Sequence, residues 1–195
     1  MTNLTNLTNF SVSGTGTISG NVTNLTNLTT IWEQSANSNI SGDVTNLTNL
    51  TQLSVTSLNT LTGSVTNLTN LTDLSVTGSN TLSGSVANLT NLHYHLLVQG
   101  SNTITGWETA ATNATGICYF CQRGNTTLTS AQVNTILAGF RANSAASHSG
   151  STYRIIDVKN TGNGAPTGQG ITDKAYLQTC VTPGGDGRVW TVTTN

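Results

Sequence analysis

The stretch VTNLTNLT occurs at Val22–Thr29, Val44–Thr51 and Val65–Thr72. Taken as Asn-x-Thr, it is a row of N-glycosylation acceptors. Taken as Val-x-x-Leu-x-x-Leu, it lines a core with an apolar residue at every third position. The sequence on either side favours the second reading. Counted from the residue before Thr-Asn-Leu, units begin at Met1, Val22, Val44, Val65 and Val86, and more degenerately at Glu108. Their spacings are 21, 22, 21, 21 and 22 residues. The clearest unit, Val65–Ser85, places Val65, Leu68, Leu71, Leu74, Val76 and Leu82 ahead of Gly84. The unit before it repeats the slots as Val44, Leu47, Leu50, Leu53, Val55, Leu61 and Gly63. A two-apart pair such as Leu74 and Val76 fits a short strand with one face inward. The three-apart residues turn the chain around a flattened coil, and the glycine allows a tight corner. One such coil cannot bury its apolar side, whereas a stack of five or six can.

The segment GSVTNLTNLTDLSVTGSNTLSG (Gly63–Gly84) resembles a leucine-rich repeat, and most of all the plant-type variant. It lacks the proline after the valine slot and has one extra residue before Asn80. The resemblance covers about Met1 to Leu128. It implies a leucine-rich repeat solenoid with a short parallel β-sheet and a mostly extended or 3₁₀ convex side, spanning residues 1–127 in about six coils. Leu47, Leu50, Leu53, Val55, Leu68, Leu71, Leu74 and Val76 would form its core.

Three units break the pattern. The Val22 unit carries Trp32 and Glu33 where the strand belongs, and the Val86 unit carries LHYHLLV (Leu92–Val98). The Glu108 unit offers Ala111, Ala114, Ile117 and Tyr119 for the leucine slots.

Residues 128–195 lose the period and read as a small α/β capping module. LTSAQVNTILAGFRAN (Leu128–Asn143) predicts a helix, with Thr129 and Gln132 as a capping box. Val133, Ile136, Leu137 and Phe140 form one face of it. Strands are expected at Tyr153–Val158 and Arg188–Asn195, the second with Trp190 and Val192 on one face. A short helix is expected at Thr172–Cys180, capped by Thr172. The matching residues Leu128, Thr129, Gln132, Val133, Ile136 and Leu137, then Pro166–Gly170, then Trp190–Asn195, resemble a C-terminal module of bacteriophage tail and other virion proteins. An insertion, VTPGGDG, precedes the closing strand.

Charged residues are only 7% of the 195, and net charge is −1. Before Glu108 the only charges are Glu33, Asp43 and Asp73. Neither half has the basic density a phosphate backbone requires, so no nucleic-acid partner is expected. No apolar run approaches the ~20 residues of a membrane helix. The N-terminal stretch has no basic n-region or continuous apolar h-region, so it does not read as a signal peptide. Cys118, Cys121 and Cys180 are too few for a disulfide framework. The C-x-x-C pair has no second pair to complete a zinc site and reads as buried or incidental thiols. A Cys118–Cys180 or Cys121–Cys180 bridge stays open.

No Ser/His/Asp set, phosphate loop or paired carboxylate stands out, and the chain is expected to be no enzyme and to need no cofactor. The candidate binding residues are Trp32, Glu33, His93, Tyr94 and His95. Glu33 beside Trp32 could form a contact hot spot on the concave face; otherwise the irregular coil turns Trp32 inward and leaves Glu33 wet. On a strand His93 and His95 would share a face, but no third ligand is in reach, so no metal is expected.

The sequons fall in fixed slots, Asn24, Asn46, Asn67 and Asn88 in one and Asn27, Asn49 and Asn70 in another, the latter shared by Asn91. Columns one strand spacing apart, roughly 4.8 Å, would crowd glycans. Stacked Asn and Thr can instead bond the neighbouring coil. The expectation is therefore a structural virion protein: a capsid decoration, fibre or tail accessory. Its partners would be other virion subunits, or copies of itself through the N-terminal coil, and a host-surface glycan or protein. The alternative is an extracellular surface or filament-forming protein, N-glycosylated on those columns.

Overall fold

The computed structural model describes residues 4–15, 17–56, 58–113, 116–123, 127–143, 154–159, 162–179 and 191–195. They form a parallel β-solenoid of five coils, extended at its C-terminal side by further strands and three helices. Each coil holds two strands. These are β1 (Asn9–Gly14) and β2 (Ser19–Asn21), β3 (Thr30–Ser35) and β4 (Asn39–Asp43), β5 (Gln52–Val55) and β6 (Thr60–Ser64), β7 (Asp73–Val76) and β8 (Thr81–Ser85), and β9 (His95–Gln99) and β10 (Thr103–Thr105). The first strands of the coils build one sheet, which β11 (Tyr119–Arg123), β12 (Ile155–Asp157) and β13 (Thr191–Thr193) extend to eight. The second strands build a separate five-stranded sheet. The sequence reading expected only the first sheet. The second arises because Ile40, Leu61, Leu82 and Ile104, spaced one per coil, are each fully buried between exposed or half-buried neighbours.

The three-apart leucines make the return path. Leu47 N–H donates to Val44 O at 2.9 Å, and Leu50 N–H to Leu47 O at 3.0 Å. Leu68 and Leu71 repeat this at 3.0 Å each. Bonds from i to i+3 have the three-residue period of a 3₁₀ turn, so every third side chain faces inward. Val44, Leu47, Leu50, Leu53, Val55, Leu68, Leu71, Leu74 and Val76 all have no solvent exposure. In the eight-stranded sheet the coils stack in register, giving an inner apolar column of Phe10, Ile31, Leu53, Leu74, Leu96, Phe120, Ile156 and Val192. The five-stranded sheet is staggered, with Gly42 opposite Leu61 and Gly63 opposite Leu82. At the staggered corner Gly63 has φ +99°, and a Cβ there would land on the Asp43 carboxylate of the preceding coil, so glycine is required.

A buried asparagine closes each of the last three coils against the previous one, and Ser38 takes its place in the second coil. Asn59, Asn80 and Asn102 accept the backbone N–H of Ile40, Leu61 and Leu82 at 2.8, 2.8 and 2.7 Å. Their amide groups donate to the carbonyls of Thr56, Thr77 and Gln99. Asn163 repeats the pattern further on, accepting Leu128 N–H at 2.7 Å and donating to Val158 O. A second ladder uses Thr23, Thr45 and Thr66, whose hydroxyls accept the N–H of Asp43, Ser64 and Ser85 at 2.9 Å each. Position 87 is alanine, which has no hydroxyl to continue that ladder. In the next coil, after β10, the chain enters α1 (Trp107–Thr112) instead of a further double turn.

This changes the sixth unit from the expected pattern. Trp107, Ala110, Ala111 and Ile117 are buried, but Tyr119 faces outward and Phe120 takes the inner slot. Ala114 lies outside the described residues. Helix α2 (Ser130–Ala142) starts at the expected capping box, with Gln132 N–H on Thr129 Oγ1 and Thr129 N–H on Gln132 Oε1. Val133, Ile136, Leu137 and Phe140 are buried as expected. Gly139 lets α2 lie close on α1, since a Cβ would meet the Ala111 backbone. Phe120 stacks edge-on with Trp107 and Phe140 at 5.6 and 5.0 Å. Helix α3 runs Gln169–Thr179; Thr172 therefore lies inside it and is not its cap. Trp190, Cys180 and the VTPGGDG insertion lie outside the described residues. One apolar core runs continuously from Phe10 to Val192.

Candidate functional site

The outer face of the eight-stranded sheet holds two of the candidate residues, Trp32 and His95. Inner positions take Leu, Val and Phe, so the alternate positions face out. Outward residues align across coils into rows. One row reads Asn9, Thr30, Gln52 and Asp73, and meets Tyr119 through His95. The next reads Ser11, Trp32, Ser54, Ser75, Leu97, Cys121 and Asp157.

Trp32 and Glu33 reverse the expected inward Trp32 and wet Glu33, and of the pair only Trp32 stands on the outer face. Trp32 is half-buried on the outer face, and Glu33 is wholly inside. Glu33 stands in the inner column of Val12, Val55, Val76 and Val98. Its carboxylate accepts Ser35 N–H at 2.6 Å, Asn59 Nδ2–H at 2.6 Å and Thr56 N–H at 3.4 Å. A carboxylate buried with such donors is part of the core's polar wiring and touches no outside partner. Gln122, also inside, does the same one end further on: its Oε1 accepts from Asn163. Strand alternation alone predicts that one of Trp32 and Glu33 faces in. It does not reveal that the asparagine ladder holds a carboxylate more easily than the coil holds an indole.

His93 and His95 do not share a strand face. His93 precedes β9, occupies the slot of Thr29, Thr51 and Thr72, and donates its N–H to Thr72 O at 2.9 Å. Its ring lies against Gly116 and edge-on to exposed Tyr94 at 5.1 Å. His95 is the first residue of β9 and half-buried. Its Nδ1 is 2.9 Å from Asp73 Oδ2, and its ring centroid is 6.2 Å from that of Tyr119. The hydrogen bond to Asp73, aided by its charge, raises the His95 pKa above the ordinary 6.5, and burial opposes this. The second carboxylate oxygen, Asp73 Oδ1, is buried without a hydrogen bond. Asp73, Tyr119, Arg123 and Asp157 were not singled out from sequence. The signal was present: Asp73 and His95 fall in the same slot of consecutive coils, 22 residues apart.

Beside this row, Arg123 pairs with Asp157. Cys121, buried within the second row, accepts a hydrogen bond from Gln99 Nε2 at 3.3 Å. Burial pushes its pKa up, outweighing that bond, so the thiol stays protonated. Burial likewise raises the Tyr119 hydroxyl. Cys118 and Cys121 are both buried free thiols. Among the described residues no three His, Cys, Asp or Glu converge as metal ligands.

The sequon columns separate into two kinds. Asn27, Asn49, Asn70 and Asn91 donate their amide N–H to Thr5, Thr26, Thr48 and Thr69 carbonyls of the preceding coil, at 2.9 to 3.0 Å. Thr29, Thr51 and Thr72 hydroxyls bond the carbonyls of Thr8, Thr29 and Thr51 in the same way. The nitrogen a glycan would occupy is thus engaged in this column. Asn24, Asn46, Asn67 and Asn88 are exposed like the first column but make no such bond to the preceding coil.

No known protein-family model, no curated protein and no solved structure matches the chain.

Proposed function

We propose that this chain is a non-enzymatic structural protein of a virion, a capsid decoration, fibre or tail accessory. In this reading its coils are leucine-rich repeats of plant-like type, and residues 128–195 cap the stack. The observation that carries it is the set of buried asparagine rungs and threonine rungs that tie neighbouring coils together. Backbone bonds alone would stack five coils; the added asparagine and threonine rungs fix each coil on its neighbour. A stiff rod with repeated polar rows suits the display of surface, and solenoids generally serve that way. The resemblance of the C-terminal residues to virion modules supplies the setting. Strands β1 and β2 are the outer strands of their sheets, and Leu4 and Ile18 beside them are 49% and 37% exposed. Strand edges with apolar neighbours favour contact with another chain, which fits docking on a virion subunit or on a second copy.

Antibody raised against the chain tests this directly. Gold label on the capsid or tail of particles from the source sample is expected; particles without label refute the proposal. The exposed Asn24, Asn46, Asn67 and Asn88 column favours a second reading, a glycosylated extracellular surface protein. Four glycans roughly 4.8 Å apart cannot all fit, so that reading implies partial occupancy. An intact mass at 20.2 kDa rules it out, and mass added in hexose steps supports it over ours.

A further inference from the structure

The outer face of the five-stranded sheet plays no part in the readings above. Inside it lie Leu61, Leu82 and Ile104; outside them stand Thr60 and Thr62, Thr81 and Ser83, and Thr103 and Thr105. All but Ser83 are exposed. The pattern Thr-x-Thr or Thr-x-Ser is thus presented by three neighbouring strands. Four outward hydroxyls are held alike. Ser41, Thr62, Ser83 and Thr105 each donate to a glycine carbonyl of the preceding coil, at 3.3, 3.5, 3.3 and 3.4 Å, on Gly20, Gly42, Gly63 and Gly84. The shared bond repeats one side-chain geometry from coil to coil and leaves the oxygen lone pairs available.

The chemistry of this face excludes the commoner ligands. Its five strands hold no aromatic residue and one charge, Asp43. Sugar rings are usually held by aromatic stacking, phosphates by cations, and protein partners by Trp, Tyr or Arg anchors; none is here. What remains is a fixed two-dimensional array of hydroxyls and methyls. The stagger of the sheet sets Thr62 opposite Thr81 and Ser83 opposite Thr103, so the pairs step by two residues from strand to strand on spacings of about 4.8 Å across strands and about 6.6 Å along them. Those distances are close to the repeats of the prism face of ice. A flexible ligand gains nothing from such regularity, whereas a lattice of water meets it at every position, with little ordering left to impose on the protein. We propose that this face binds ice, through the Thr60/Thr62, Thr81/Ser83 and Thr103/Thr105 rows. This stands apart from the virion reading and does not depend on it.

The test is nanolitre osmometry on the purified full chain, following single ice crystals as they are cooled. Melting and freezing points that separate, with faceted crystals, are expected. Thr81→Lys, in the middle of the face, is expected to abolish the gap with an unchanged circular dichroism melt. Thr48→Lys, exposed on the turn side of the coil, is expected to leave the gap intact. If Thr81→Lys fails to fold, Thr81→Ser keeps the hydroxyl, removes the methyl and is expected to narrow the gap. The proposal is overturned by a folded wild type that melts and freezes at one temperature. A Thr81 variant that folds and keeps the full gap overturns it too, as does loss of the gap in Thr48→Lys.

Discussion

Replacing Asn80 by alanine removes an inner rung from the middle of the solenoid. Its Oδ1 accepts the Leu61 N–H at 2.8 Å, and its Nδ2 donates to Thr77 O at 2.9 Å. Asn80 and Leu61 have no solvent exposure, so no water replaces the lost acceptor. An orphaned buried donor costs about 1–3 kcal/mol, and the second bond adds about 0.5–1.5 kcal/mol. The loss should total roughly 2–4 kcal/mol. For a chain of this size that is on the order of 4–16 °C in Tm, at about 2–4 °C per kcal/mol. Asn70 gives the control. It also bonds the preceding coil, Thr48 O at 3.0 Å, but it is exposed. Water replaces that bond, so Asn70→Ala should cost at most about 1 kcal/mol. Urea titrations of wild type and both variants, read by circular dichroism, measure the difference. Equal losses from Asn80→Ala and Asn70→Ala would refute the claim that burial makes the inner ladder the stronger tie.

Three further outcomes follow from the same geometry. Glu33→Ala and Glu33→Val both orphan the Ser35 N–H, but the alanine also opens a cavity in the valine column, whereas the valine restores the column's shape; thermal melts should show Glu33→Val as the less damaging by about 1 kcal/mol or more, and the reverse order would contradict the packing of this position in the valine column. The His95 pKa is raised in the fold, so the His95–Asp73 pair adds stability that is fully present below the unfolded pKa and lost as pH rises through the folded one. Asp73→Asn should accordingly destabilise the protein more at pH 5 than at pH 8, and in NMR titration its His95 should lose protons at lower pH than in wild type; an unmoved titration would break the argument. In a Cys180→Ser background, Cys118 and Cys121 should react with a thiol reagent only on unfolding, because both are buried and burial raises the Cys121 thiol; fast labelling of native protein would contradict their placement.

The solenoid was legible because its apolar residues recur in a fixed slot of every coil. Leu68 and Leu71 gave the double turn, and Leu74 with Val76 gave the strand. The second sheet was harder to see. Leu82 is a single apolar residue between Thr81 and Ser83, and one residue shows no alternation; only the pairing of its strand with β6 and β10 makes a sheet. Glu33 misled because a carboxylate on a strand normally faces water, and its donors, above all Asn59 one coil later, become neighbours only in the stack. Thr172 misled for a local reason. It is a good capping residue, but α3 begins at Gln169, just after the PTG turn at Pro166–Gly168. The outer-face row was legible in principle, since aligning the coils puts Asp73, His95 and Tyr119 in one slot. Their contact depends on adjacency between coils, which a reading along one strand does not supply.

The central claim is that residues one coil apart in sequence lie one strand spacing apart in space. Electron paramagnetic resonance distances between spin labels on the exposed turn column test it most directly. With one label at Thr90 and the other moved through Thr48, Thr26 and Thr5, in a chain whose native cysteines are replaced, the separation should grow in equal steps. Each step should be about 4.8 Å, reaching roughly 19 Å at Thr5 before the label linkers are added. Separations that rise unevenly, or that do not rise at all from Thr48 to Thr5, would contradict the solenoid.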